Sequence, residues 1–226
     1  GVCLNEGCIP TKTMLYSAKL YHNAQNSSKY GITLDNLAFD YEKIVARKNK
    51  IVRKLNAGIR TKMAEHTITV VNGEASIQST TNHIEIACNS ELFEARNVIL
   101  CTGSSTVIPP IKGLESTSFW TSTEALESKS VPESLVIVGG GVIGLEFAGL
   151  FNTFGTAVTV IEMAPEILPG IDSEIAALLR ADYAKKGITF HLNAQVKEVS
   201  NEHVLFATSE GIQSIDTTQI LLCVGR

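Results

Sequence analysis

Residues 135–162 read LVIVGGGVIGLEFAGLFNTFGTAVTVIE. Leu135–Val138 is a short apolar run of strand character, and Gly139, Gly141 and Gly144 follow it as GxGxxG. An apolar helical pattern then runs to about Phe154, with Gly155 as its stop. A second strand, Val158–Ile161, ends at Glu162, 21 positions past Gly141. Strand, glycine turn, helix, strand and acidic residue together form the context of a dinucleotide-binding βαβ unit. Gly139 permits the tight turn, and Gly141 lets the backbone approach a pyrophosphate seated on the helix N-terminus. Gly144 allows close helix–strand packing. Val142 and Ile143 open the helix beside the same site. Glu162 can accept hydrogen bonds from ribose hydroxyls and would repel a 2′-phosphate, so NAD is expected rather than NADP.

The segment GVCLNEGCIPTK, residues 1–12, carries the second chemical signal. Cys3 and Cys8 stand five positions apart, within reach of an intrachain disulfide. Pro10 suits a first helical position, and a helical run is expected from Thr11 to about Ala24. A cysteine at a helix N-terminus is held toward its thiolate, the reactive form. The pair reads as a working dithiol. A structural staple, or a zinc site built from Cys3, Cys8 and His22, are the alternatives.

Composition narrows the class. The chain has 226 residues, 44% hydrophobic and 19% charged, with net charge −4. That is ordinary for one or two folded domains, and with no basic run a nucleic-acid surface is not expected. No apolar stretch is long enough to span a bilayer, and no signal peptide is visible. Cys101 and Cys223 lie in apolar runs and are expected to be buried thiols. The first residue falls close to Cys3, and the chain stops straight off an apolar strand at Arg226. A section of a longer protein is expected.

A second helix is expected over Tyr41–Glu65, with Lys and Arg on a solvated face and Ile44, Ile51, Leu55 and Ile59 on the other. TITVVNGEASIQST, NHIEIAC and ELFEA (67–80, 82–88 and 91–95) read as strands leading into Asn97–Cys101, an expected buried strand. ITFHLNAQVKEVS, HVLFATS and GIQSID lead likewise into QILLCVG about 120 positions later, which suggests duplication of one unit. STSFWTSTEALESKSVPES (116–134) is read as an interdomain connector, with Phe119 and Trp120 packed against a domain.

Cys3, Leu4, Asn5, Gly7, Cys8, Ile9, Pro10 and Lys12 resemble the redox motif of the flavin-dependent pyridine nucleotide-disulfide oxidoreductases, most closely its dihydrolipoamide dehydrogenase branch. Val2 stands where that family carries Thr. The resemblance implies an α/β fold of two Rossmann-like nucleotide-binding domains with β-meander insertions: a truncated FAD domain over 1–118 and an NAD domain over 119–226. It implies FAD and NAD as cofactors. By that resemblance Cys3 would exchange with dihydrolipoyl groups and Cys8 would face the flavin. Lys12 would lie beside the flavin and pair with Glu146. Gly73, Ala75, Thr102 and Gly103 would contact FAD, Gly225 would contact NAD, and Val142 would leave the nicotinamide pocket open. Implied partners are a lipoylated acyltransferase or carrier protein of a 2-oxo acid dehydrogenase or glycine cleavage complex. A homodimer forms through a domain outside this chain, and a cytoplasmic or mitochondrial-matrix setting follows. Mercuric, glutathione or coenzyme A disulfide reductases of the same architecture, and a non-catalytic NAD-binding module, are the competing readings.

Overall fold

The computed structural model describes residues 1–79 and 83–226. Helices α1 (Val2–Glu6) and α2 (Cys8–Gln25) open the chain, followed by α3 (Tyr41–Glu65). Strands β1 (Ala75–Ser79), β2 (Ile84–Cys88) and β3 (Glu91–Ala95) come next, then the short α4 (Ser122–Glu127). The glycine-rich region folds as β4 (Ser134–Val138), α5 (Val142–Thr153) and β5 (Ala157–Ile161). Helix α6 (Ser173–Lys185) and strands β6 (Thr189–His191), β7 (Gln195–Val199), β8 (His203–Thr208), β9 (Gly211–Asp216) and β10 (Gln219–Leu222) complete it.

The chain divides into two compact units, residues 53–103 and residues 2–52 with 104–226. In the larger unit four parallel strands run in the order β10-β4-β5-β6. Val136, Ile137 and Val138 are buried, as are Val160, Ile161, Leu221 and Leu222, because both faces of the sheet are covered. On one face lie Phe147, Ala148, Leu150 and Phe151 of α5, with Met14 and Ala18 of α2 and Tyr41 and Val45 of α3. On the other lie Val196, Val199, Val204 and Phe206 of the antiparallel meander β7-β8-β9. Burial of each large side chain here contributes roughly 1.5–3 kcal/mol.

The smaller unit holds the antiparallel meander β1-β2-β3, turned between β2 and β3 by Asn89 and Ser90 at positive φ. Each unit thus holds one three-stranded meander, the first part of the expected repeat. The buried strand expected at Asn97–Cys101 does not form: these residues are coil, and Ile99 is 86% exposed. A strand needs a neighbour for its N–H and C=O groups, and none pairs with this run among the described residues. Cys101 is accordingly exposed, against expectation.

Three further readings need correction. Residues 67–74 are not strand, and the predicted segment's last residue, Thr80, and Asn82 lie outside the described residues. The stretch 116–134, read as an interdomain connector, lies inside the larger unit. Trp120 donates to Ile220 O and accepts from Leu222 N, extending the parallel sheet beside β10. A capping box of Thr121 and Glu124 then starts α4, whose Ala125 and Leu126 are buried. Lys48 does not belong to a solvated face: it is 1% exposed, and its Nζ donates to Leu126 O and Glu127 Oε1. Phe119 and Trp120 do pack into the core, as expected.

Candidate functional site

Cys8 is the first residue of α2, with Gly7 as N-cap and no side-chain cap. Pro10 is therefore the third helical residue rather than the first, still within the turn whose N–H groups lack helical partners. Cys3 sits on the separate short helix α1, which the sequence did not suggest. The two form a disulfide with Cα atoms 4.6 Å apart, inside the usual range of about 4.4–6.8 Å. Both cysteines are exposed, as exchange with an external thiol requires. Pairing Cys3 with Cys8 excludes their use with His22 as zinc ligands. Buried Thr11 steadies this turn by donating its hydroxyl to Gly7 O at 2.6 Å.

One turn beyond Cys8, Lys12 Nζ donates to Glu146 Oε1 at 2.6 Å. This pair ties α2 to the start of α5. The Lys12 side chain is 57% exposed, so the pair is not the buried one the sequence reading anticipated. Nearby, burial and the Glu146 charge hold the Tyr183 phenol above its ordinary range.

The glycine-rich turn separates three steric roles. Gly139 has φ +109°, and a Cβ there would run into Cys223 O. A Cβ on Gly144 would run into Gly139 O. Gly141, the N-cap of α5, has open space above it and no side chain capping the helix. The N-terminal N–H groups of α5 are thus accessible to an anion.

Glu162 lies at the end of β5, where its Oε2 accepts from Gly140 N at 2.6 Å and its Oε1 from Ala164 N at 2.7 Å. It therefore fixes the glycine turn. That task was not read from the sequence, though the 22-residue spacing from Gly140 carried its signal. Beside it opens a cleft of about 530 Å³ lined by Gly139, Gly141, Glu162, Met163, Cys223 and Gly225 among others. A smaller hollow of about 240 Å³ adjoins Val142, Ile143 and Arg226. Cys223 is only partly buried, against the expected full burial, and desolvation pushes its thiol up to about 12, away from the reactive thiolate.

Gly73, Ala75, Thr102 and Gly103 belong to the smaller unit and are all exposed. Space above Gly73 is filled by the Asn89 side chain, which also donates to Asn72 O at 2.6 Å.

One chain thus carries an exposed disulfide at a helix N-terminus and a glycine-rich turn between a parallel strand and a helix. The sequence model of the family described as pyridine nucleotide-disulphide oxidoreductase matches residues 1–226. The chain belongs to this family. Within it, the chain is 41% identical over 230 residues to a dihydrolipoyl dehydrogenase of Acholeplasma laidlawii, covering 100% of this chain and 68% of that protein. A dihydrolipoyl dehydrogenase of Geobacillus stearothermophilus is 33% identical over 232 residues, covering 100% of this chain and 49% of the relative. Among solved structures, the HOCl-induced flavoprotein disulfide reductase RclA from Escherichia coli superposes with a TM-score of 0.80 at 30% identity. That match covers 100% of this chain and 48% of the other. Apart from the Acholeplasma protein, the chain thus spans about half the length of these relatives. A mixed α/β fold with a parallel sheet and a disulfide-bearing N-terminal helix accords with the family.

Sequence reasoning missed α6, although Asp172 accepts from Glu174 N and Ile175 N as its cap and Gly187 ends it at φ +91°. Its Arg180 grips Glu166 through two hydrogen bonds of 2.8 and 2.9 Å, holding the loop that follows Glu162. The guanidinium keeps the Glu166 carboxyl below its ordinary range. Among the described residues, no helix is long and apolar enough to cross a membrane.

Proposed function

We propose that this chain is the central section of an NAD-dependent dihydrolipoyl dehydrogenase, acting through Cys3, Cys8, Lys12 and Glu146. The observation that carries it is the exposed Cys3–Cys8 disulfide at the N-terminus of α2, joined through Lys12–Glu146 to the helix of the glycine-rich turn. The curated relatives named dihydrolipoyl dehydrogenase support the substrate class.

A dihydrolipoyl thiolate attacks Cys3 Sγ, forming a mixed disulfide and breaking the bond to Cys8. Cys8 departs as a thiolate, stabilised by the dipole and free N–H groups of α2. The second lipoyl thiol then displaces Cys3, releasing a cyclic disulfide and leaving the protein dithiol. Two electrons move from the lipoyl group to the protein. FAD, when bound, would supply the redox chemistry that links this electron pair to NAD. By the family resemblance, Lys12 in the larger unit and, separately, Gly73, Ala75, Thr102 and Gly103 in the smaller one are the residues that would meet FAD.

NAD would occupy the cleft beside Glu162, its pyrophosphate on the N–H groups around Gly141, Val142 and Ile143 and its adenosine ribose on Glu162. The open space above Gly141 and the cleft of about 530 Å³ fit an extended dinucleotide. Gly225 and the exposed Val142 would border the nicotinamide half. Residues 1–118 and 119–226 would be the FAD and NAD portions. A lipoylated carrier or acyltransferase, a homodimer and a cytoplasmic setting complete the proposal.

The test is NAD reduction by dihydrolipoamide, catalysed by the protein that carries this chain. Cys3→Ser and Cys8→Ser should each abolish it. Full turnover without either thiol would refute the assignment.

A further inference from the structure

We propose that His83, Glu85 and Glu94 form a binding site for a divalent cation of the zinc class, on the exposed face of the β2–β3 hairpin. These residues belong to the smaller unit, whereas the dithiol and the glycine turn belong to the larger one. Glu85 and Glu94 are register partners on adjacent antiparallel strands. Two like charges directly opposite each other destabilise a hairpin, so this pairing needs a compensating charge. His83 precedes Glu85 by two residues, and its Nε2 lies 3.2 Å from Glu85 Oε1 and 3.4 Å from Glu94 Oε1. The first contact is a hydrogen bond, and both separations also lie close to the edge, about 3.3–3.4 Å, of a tetrahedron with metal bonds of about 2.0–2.1 Å. One ligand atom from each of the three side chains lies within 4.8 Å of the others, so small side-chain rotations bring both carboxylates and the imidazole onto one ion.

One nitrogen and two carboxylate oxygens suit zinc, which takes such borderline ligands and accepts a water at the fourth position. Magnesium and calcium prefer all-oxygen sets, which disfavours them here. A bound cation would also cross-link β2 to β3, replacing the repulsion between the glutamates with two attractions.

The experiment is zinc chloride titration into the oxidised full chain against a chelator dye, comparing the native protein with His83→Ala and with Glu85→Gln/Glu94→Gln. All three carry the same thiols, so any difference isolates the hairpin. The native protein should bind one equivalent more than either variant, with at least ten-fold tighter affinity for that equivalent. Zinc should raise the melting temperature of the native chain alone. Metal-free Glu94→Gln should melt no lower than native, because it relieves the like-charge pair and removes no packing. Identical zinc stoichiometry and affinity in all three proteins would overturn the site.

Discussion

Lys12 and Glu146 stand 134 residues apart in sequence and 2.6 Å apart in space. The pair joins the helix that begins at Cys8 to the helix that begins at the glycine turn, and so couples the two chemical features of the chain. With Lys12 57% exposed, its stability contribution is that of a surface pair, about 0–1 kcal/mol. Lys12→Met should lower stability by no more than that in a denaturant titration. In the carrying enzyme the same change should slow hydride transfer more than it weakens NAD binding, as transient kinetics can separate. A loss of several kcal/mol would show that the pair is structural first.

The glycines of the turn should respond differently to a methyl group. Gly141→Ala meets open space at an ordinary φ of −76°, so folding should be unchanged while NADH affinity falls. Gly139→Ala combines φ +109° with a clash on Cys223 O and should destabilise. Thermal melts alongside NADH fluorescence titration give both readings. Equal loss of stability in the two variants would contradict the assignment.

Glu162 accepts from two backbone N–H groups and is proposed to meet the ribose as well. Glu162→Arg should therefore reduce kcat/KM for NADH while raising the NADPH-to-NADH ratio, since an attraction replaces a repulsion toward the 2′-phosphate. Glu162→Gln should keep one acceptor oxygen and lose less. An unchanged cofactor ratio in Glu162→Arg would place the ribose elsewhere.

His191 packs against Phe206 with ring centroids 4.7 Å apart, and burial lowers its pKa below the ordinary 6.5. Its folded-state pKa is depressed, so the neutral ring's contribution is present above pH 6.5 and lost as pH falls through the folded value. The melting temperature should drop between pH 7.5 and 5.5, with a shallower slope in His191→Gln. A steeper or equal slope in the variant would assign the acid sensitivity to other groups.

Much of this was legible because its signals are local. The β4–α5–β5 unit, Tyr41–Glu65 and the cysteine spacing each announce themselves through period, glycine placement or a helix start. The misread parts depend on partners. Asn97–Cys101 has the composition of a buried strand, but composition does not supply a neighbouring strand. The 116–134 segment is polar, yet Trp120 finds a sheet edge and Thr121 caps a helix. ITFHLNAQVKEVS looks continuous, while His191 ends β6 in the parallel sheet and Gln195 begins β7 in the meander. Lys48 is buried because a carbonyl and a carboxylate from a distant helix meet it, a coincidence that helical period does not reveal.

The reactivity of the Cys3–Cys8 disulfide tests the central claim most directly. The oxidised chain is incubated with dihydrolipoamide, alkylated and mapped by mass spectrometry, with lipoamide quantified. Two new thiols, at Cys3 and Cys8, are predicted for each lipoamide formed. A disulfide that stays intact under dihydrolipoamide while the protein remains folded would contradict the account.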